Sequence, residues 1–149
     1  MTFVQQQLAQ INIDVEVLPM EPATVSDKIY VDEDEAEVNM WYVNWSASDF
    51  TMDGSVRSLL YSTMCPPVSA NTAYFRNEEF DSLLDHGLAT ADEAEQADIY
   101  AQAQEIAWEE CPWLFLGNDE LLYSTKSYLS GAFVAPDGAF DFSQAVLAQ

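Results

Sequence analysis

A tryptophan, two serines and an aspartate stand within five consecutive positions of the chain, at Trp45, Ser46, Ser48 and Asp49. The segment before them is apolar, and a helix is predicted to begin near Asp53. In open α/β sheets, loops at the carboxyl ends of strands present polar groups to ligands. An aromatic side chain followed by hydroxyls and a carboxylate is typical of such a loop. This spacing predicts a non-covalent binding site for a small molecule.

Sequence motifs for catalysis are absent from the chain. It has no G-x-S-x-G nucleophile elbow, no glycine-rich phosphate loop and no H-E-x-x-H pair of metal ligands. With 26 acidic residues, carboxylate pairs of the glycosidase type arise by chance, so they specify no reaction. One histidine and two separated cysteines cannot complete a zinc site. We expect a protein that is not an enzyme and that needs no cofactor.

Residues 38–45 are predicted to form the strand that carries this loop. A strand that is apolar on both faces is typical of the interior of an α/β sheet. Alternate side chains point in opposite directions: Val38, Met40 and Tyr42 one way, and Trp41, Val43 and Trp45 the other. Asp53 has two interpretations, because it could contact a ligand or serve as the N-cap of the following helix. For Trp45, the alternative to a binding role is a place in the core.

The remaining elements alternate between helical and strand patterns, which predicts an α/β fold with a mixed sheet flanked by helices. Helices are expected at residues 3–10 and 24–29, from an Asn77 cap, and from a Thr90/Glu93 capping box to Glu110. Two apolar helix faces are predicted to be buried: Phe80, Leu83, Leu84 and Leu88, and Ile99, Tyr100, Ala103, Ile106 and Ala107. Further strands are expected at residues 13–17, 113–116 and 121–123, and residues 131–134 lead into a tight turn at 136–138.

The net charge of −22 argues against nucleic acid as a partner, because an acidic surface repels phosphates. It could equally attract cations, adapt the protein to salt, or simply keep it soluble. The acidic run at residues 32–35 lacks the glycine of a calcium loop, since the sixth position is Glu37, and we expect a solvated loop. Cys65 and Cys111 could form a disulfide in an exported protein or be unrelated buried thiols.

Four segments, in order, resemble the dipeptide/oligopeptide/nickel class of solute-binding proteins (bacterial extracellular family 5), the receptors of ABC importers. They are FVQQQLAQINIDVEV (3–17), VNWSASDFTMDGSVRSLLYS (43–62), the segment from NTAYFRNEEFDSLL (71–84) to ECPWLFL (110–116), and GAFVAPDGAFDFSQAVL (131–147). The resemblance covers essentially all 149 residues. The sequence from Asp53 to Arg57 resembles the corresponding segment of the glutathione- and dipeptide-binding branch.

The resemblance implies a fragment of a longer, two-lobed protein of the periplasmic-binding-protein type II fold. Residues 1–130 would belong to the C-terminal lobe, and residues 131–149 would return to the other lobe. The implied partners are a peptide or similar small polar solute, an importer permease and the missing N-terminal lobe. The implied location is periplasmic or extracellular, as a cell-surface lipoprotein.

In the peptide-binding members, a carboxylate three residues past the loop tryptophan grips the α-amino group of the peptide. Here that position is Ser48, and Asp49 is adjacent. The resemblance implies that Trp45 walls the pocket, that Ser46 and Ser48 offer hydroxyls, and that Asp49, or else Asp53, meets a cationic group. The departure at Ser48 leaves an alternative function open, a signalling or interaction module that retains the fold without transport.

Overall fold

The computed structural model describes residues 1–46, 49, 51–118, 120, 122–135 and 138–148. Five helices come first in the chain and four short strands follow. The helices are α1 (Thr2–Ala9), α2 (Pro22–Ile29), α3 (Met52–Leu60), α4 (Glu78–Ala89) and α5 (Glu93–Glu110). The strands are β1 (Leu129–Ser130), β2 (Phe133–Val134), β3 (Phe140–Asp141) and β4 (Val146–Leu147). Two single 3-10 turns lie at Glu33–Glu35 and Ser62–Met64.

The hydrophobic core lies between α3, α4 and α5. Its buried members come from all three helices: Leu59, Leu60, Phe80, Leu84, Tyr100, Ala103 and Ala107. Gly87 of α4 is buried against α5, and a Cβ atom there would lie 2.8 Å from Cζ of Tyr100. A glycine at this position therefore allows α4 and α5 to pack closely.

Helix α4 begins as its sequence predicts. The side chain of Asn77 accepts hydrogen bonds from the N–H groups of Glu79 and Phe80, both at 3.0 Å. Phe80 and Leu84 are buried, whereas Leu83 is half-buried. The predicted burial of Leu88 is wrong, because its side chain is 62% exposed.

Helix α5 ends at Glu110 as predicted, but its N-cap is Asp92 and not Thr90. The Asp92 carboxylate accepts hydrogen bonds from the N–H groups of Ala94 (3.0 Å) and Glu95 (2.9 Å). The Thr90 hydroxyl instead donates to the carbonyl of His86 at the end of α4. Aspartate is a stronger cap than threonine, and the two candidates lie only two positions apart in the sequence.

Asn71 organises the connection between α3 and α4. Its side chain is fully buried; it donates to the carbonyls of Tyr61 (3.1 Å) and Phe75 (2.8 Å) and accepts from the N–H of Phe75 (3.1 Å). A buried amide is stable in a core only when its donors and acceptor are paired. Asn71 thereby fixes the path of the chain from α3 into α4.

The strands predicted at residues 13–17, 38–45 and 113–116 are not hydrogen-bonded strands in the structure, and the described residues of 121–123 form none either. Many of the apolar side chains in these segments are exposed, among them Ile13, Met40, Tyr42, Leu114, Phe115 and Leu122. A strand is defined by pairing, which an apolar alternation alone does not supply. These sequence-based predictions are therefore wrong as to strand pairing.

The described strands form two small antiparallel sheets. β1 pairs with β4, and β2 pairs with β3 in a hairpin whose neighbouring residues Ala135 and Ala139 are joined by a 2.8 Å backbone hydrogen bond. The strand Phe133–Val134 was not among those that the sequence predicted. Division of the chain at residue 130 into a lobe and a terminal segment stays a prediction.

Both cysteines are free thiols, Cys65 half-buried and Cys111 exposed, so neither a bridge nor a pair of buried thiols is observed. The acidic run forms a 3-10 turn, and Glu33 makes a 2.8 Å ion pair with Arg76. Among the described residues, no acidic, cysteine or histidine cluster of three or more is placed to hold a metal. None of the described helices is both long and apolar enough for a membrane span.

Candidate ligand-binding site

Trp45 lies at the edge of a cleft with a volume of about 180 Å³. The side chain of Trp45 is 45% exposed, so it belongs to a surface and not to the core. The cleft lies between the end of α2, the extended segment 41–45, α3 and the segment after α5. Its lining residues are Ile29, Tyr30, Trp41, Val43, Asn44, Trp45, Leu59, Ala70, Thr72 and Trp113.

The predicted alternation along residues 38–45 is followed only in part. Trp41, Val43 and Trp45 were expected to share one face, and all three line the cleft, but Asn44 between them lines it too. Tyr30, Thr72 and Trp113 were not anticipated as site residues. They come from distant parts of the sequence, and no local pattern marks them as neighbours of Trp45.

The polar residues of the predicted loop are placed differently from Trp45. Ser46 is exposed, and Ser48 lies outside the described residues. Asp49 is exposed, and among the described residues neither Ser46 nor Asp49 is part of the cleft lining. The structure therefore places Trp45 on the cleft and Asp49 on the chain that leads from it to α3.

The Asp49 carboxylate is held by Thr51. It accepts a hydrogen bond from the Thr51 N–H over 3.1 Å and another from the Thr51 hydroxyl over 3.0 Å. These bonds favour the ionised form and hold the pKa of Asp49 below its ordinary value of 3.8. The carboxylate also lies against Gly54, where a Cβ atom would collide with it. Asp49 is thus a fixed, exposed negative charge at neutral pH.

The prediction of Asp53 as N-cap is wrong, because Thr51 is the N-cap of α3. The Thr51 hydroxyl accepts a 2.9 Å hydrogen bond from the N–H of Gly54. Asp53 lies in the first turn, and its carboxylate accepts three hydrogen bonds of 2.8–3.0 Å from Arg57. With a side chain only 15% exposed, Asp53 serves an internal ion pair.

Arg57 joins α3 to α4. Besides Asp53, it contacts the carboxylate of Asp85 at 2.9 Å, and its guanidinium lies 4.6 Å from the ring centre of Tyr61. The Tyr61 hydroxyl donates to the same carboxylate over 2.9 Å. Hydrogen bonds that Arg57 donates to Asp53 and Asp85 raise the pKa of Arg57 above its already high value. Arg57 therefore pairs with two acids of the chain.

The chemistry available in this region is recognition. An exposed, ionised carboxylate can pair with a cationic group, and indole rings can contact apolar or cationic groups.

The chain is similar in sequence to part of the glutathione-binding proteins of several bacteria. The chain is 34% identical over 148 residues to the glutathione-binding protein GsiB of Pectobacterium atrosepticum, which covers 99% of this chain and 29% of that protein. It is 36% identical over 146 residues to GsiB of Escherichia coli (strain K12), covering 97% of this chain and 28% of that protein. In sequence, the chain matches one part of a solute-binding protein.

Solved structures agree on the fold of this solute-binding-protein segment. The clavulanic acid biosynthesis oligopeptide binding protein 2 superposes with a TM-score of 0.86 at 22% identity, over 98% of this chain and 28% of that one. HbpA2 from Haemophilus parasuis gives a TM-score of 0.74 at 18% identity, over 99% and 28%. No protein-family model matches the chain.

The resemblance to the glutathione-binding branch and the α/β fold class are confirmed. The segment spans between a quarter and a third of the length of the relatives it matches. Those relatives are binding proteins by name.

Proposed function

We propose that the chain is the ligand-binding part of an extracytoplasmic solute receptor that delivers peptides or similar small polar solutes to an ABC importer. The observation that carries this proposal is the exposed Asp49 carboxylate, ionised at neutral pH and held by Thr51 a few residues after the cleft residue Trp45. A fixed, exposed anion that follows an aromatic cleft residue closely in sequence suits a ligand with a primary amine. The named relatives that bind glutathione support a ligand of this class.

We assign Asp49, and not Asp53, to the cationic group of the solute. Asp53 is engaged by Arg57, so a ligand would have to displace an ion pair with three hydrogen bonds. Asp49 accepts hydrogen bonds from Thr51, makes no ion pair with the described residues, and remains exposed. In this proposal Trp45 walls the pocket, and Ser46 and Ser48 supply hydroxyls.

The remaining contacts would come from a missing N-terminal lobe that closes over the ligand. Apolar side chains on the extended segments support this partner, since Ile13, Met40, Tyr42 and Leu114 are 46–64% exposed. Such exposure over several segments marks a surface that another part of a protein covers. Residues 1–130 would then be the lobe, and residues 131–149 the return segment.

The receptor would work outside the cytoplasm, in the periplasm or on the cell surface as a lipoprotein, beside an importer permease. It would not act as an enzyme and would need no cofactor. Ser48, where peptide-binding members carry an acid, favours a second candidate function, an interaction or signalling module without transport. A permease gene next to the coding sequence would support transport, and its absence the module.

Calorimetry on the two-lobed protein tests the assigned role of Asp49. We expect glutathione or a dipeptide with a free amine to bind, and its N-acetylated form to bind at least about tenfold more weakly. Asp49→Asn should remove this preference. Asp34→Asn, which neutralises another exposed carboxylate, is the matched control and should retain it. Equal binding of both forms by the unaltered protein would overturn the assignment.

A further inference from the structure

The cleft that Trp45 borders is lined by aromatic rings to an unusual degree. Three of the four tryptophans of the chain, Trp41, Trp45 and Trp113, line it together with Tyr30. The other tryptophan, Trp108, is 70% exposed and stacks on Phe115 elsewhere. Aromatic residues from three separate parts of the sequence therefore converge on one small cavity.

Among the described residues, the lining of the cleft contains no charged side chain. Neither an anion nor a cation would therefore find an ion-pair partner there, and the aromatic rings decide between them. The faces of indole and phenol rings carry partial negative charge and attract cations. The protein around the cleft has a net charge of −22, which raises the local concentration of cations further. Charge therefore favours a positively charged occupant.

The size of the cleft limits that occupant to one group of a ligand. Its volume of about 180 Å³ is smaller than the roughly 300–1,000 Å³ of pockets that enclose a whole drug-sized molecule. The floor is apolar, since Leu59 is buried beneath it and Ala70 is half-buried. An inorganic cation keeps its water shell and gains little there, whereas an alkylated ammonium group brings its own apolar surface.

We propose that this cleft binds an organic ammonium group. The inference rests on the proposed function, because it concerns the same solute. It assigns a second positively charged group of that solute, an alkylated ammonium or a basic side group, to the cleft. It adds a contact distinct from the one assigned to Asp49, which does not line the cleft. The preferred solutes would carry an alkylated or basic side group in addition to a free amine.

The test compares choline with 3,3-dimethylbutanol, which has nearly the same shape without the charge. Binding to the chain is followed by tryptophan fluorescence and calorimetry at one ionic strength, held with sodium chloride. We expect choline to bind saturably in the millimolar range, and its uncharged counterpart at least about fivefold more weakly. Equal binding of both compounds, or no saturable choline binding, would overturn the inference.

Substitutions locate the site. Tyr30→Leu and Trp45→Leu change side chains that are each 45% exposed, and each should weaken choline binding at least about threefold. Tyr30→Phe keeps the ring and should bind as before. Trp108→Leu is the matched control, because Trp108 lies outside this cleft. Circular dichroism checks the fold of each variant, and unchanged choline binding in both folded leucine variants would contradict the assignment.

The two proposals fail separately. If peptide binding depends on Asp49 but choline and its uncharged counterpart bind equally, the cleft assignment is contradicted and the proposed function is not. If the chain binds choline selectively but the two-lobed protein binds neither glutathione nor peptides, the proposed solute class is contradicted. The cleft would then remain an ammonium site.

Discussion

The hydroxyl of Thr51 donates a hydrogen bond to the carboxylate of Asp49 over 3.0 Å. The same oxygen accepts the N–H of Gly54 over 2.9 Å and thereby caps α3. One side chain thus joins the candidate amine-binding carboxylate to the first turn of a helix that packs in the core. The orientation of the Asp49 carboxylate therefore depends on the same side chain that caps α3.

Removal of the Thr51 hydroxyl should affect both. Thr51→Ala should lower the free energy of unfolding by about 1 kcal/mol, because the N–H of Gly54 loses its partner. Thr51→Ser keeps the oxygen and should be close to the unaltered protein. Urea denaturation gives the difference, and equal stability of the alanine and serine variants would contradict the role of this cap.

Asp85 should contribute stability that depends on pH. Hydrogen bonds from Arg57 and Tyr61 lower the pKa of Asp85 below its ordinary value of 3.8. A carboxyl with a lowered folded-state pKa stabilises the protein above pH 3.8, and this contribution is lost as the pH falls through the folded-state pKa. Asp85→Asn should therefore be less stable than the unaltered protein near about pH 6, and the gap should narrow progressively as the pH falls below 3.8.

The measurement is urea denaturation of both proteins across that pH range. Because the Asp85 side chain is 58% exposed, we expect a modest gap. Asp34→Asn should show no comparable gap at any pH. A gap between Asp85→Asn and the unaltered protein that is constant or widens on acidification would contradict the ion-pair interpretation.

Leu84 and Leu88 lie one turn apart on α4 and provide a matched pair for the core. Leu84 is fully buried, so Leu84→Ala should lower the free energy of unfolding by about 2–5 kcal/mol. Leu88 is 62% exposed, and Leu88→Ala should change it by less than about 0.5 kcal/mol. Similar losses of unfolding free energy from both substitutions would contradict the exposure of Leu88 and show that its side chain is covered in solution.

These helices illustrate what local sequence can predict. Asn77 and the apolar spacing of Ile99, Tyr100 and Ala103 act within a few residues, and the structure confirms the helices they predict. Competition between neighbouring caps is harder to predict. Thr51 and Asp92 cap their helices where Asp53 and Thr90 were expected, and the choice depends on which oxygen reaches the free N–H groups.

Sheet pairing and the cleft required long-range information. Residues 13–17 and 38–45 have the alternation of strands, but pairing depends on partners that a local pattern cannot name. The cleft brings Tyr30, Trp45, Thr72 and Trp113 together across most of the chain. From the sequence, Trp45 could be proposed as a site residue, whereas Tyr30, Thr72 and Trp113 could not.

Salt should stabilise this protein. A net charge of −22 repels itself, and raising sodium chloride from ~0.01 M to ~1 M shortens the screening length from ~30 Å to ~3 Å. We expect the melting temperature to rise, by roughly 2–4 °C for each kcal/mol gained. The rise should shrink near about pH 4, where part of the carboxylates are protonated. A salt effect of the same size at both pH values would contradict this electrostatic origin.

Calorimetric titration with glutathione, done in parallel on the isolated chain and on the two-lobed protein, tests the central claim most directly. If the chain supplies one side of a closing pocket, the two-lobed protein should bind the peptide with a measurable heat and the isolated chain at least about a hundredfold more weakly, because half of the contacts are missing. Equally tight binding by the isolated chain would contradict the account.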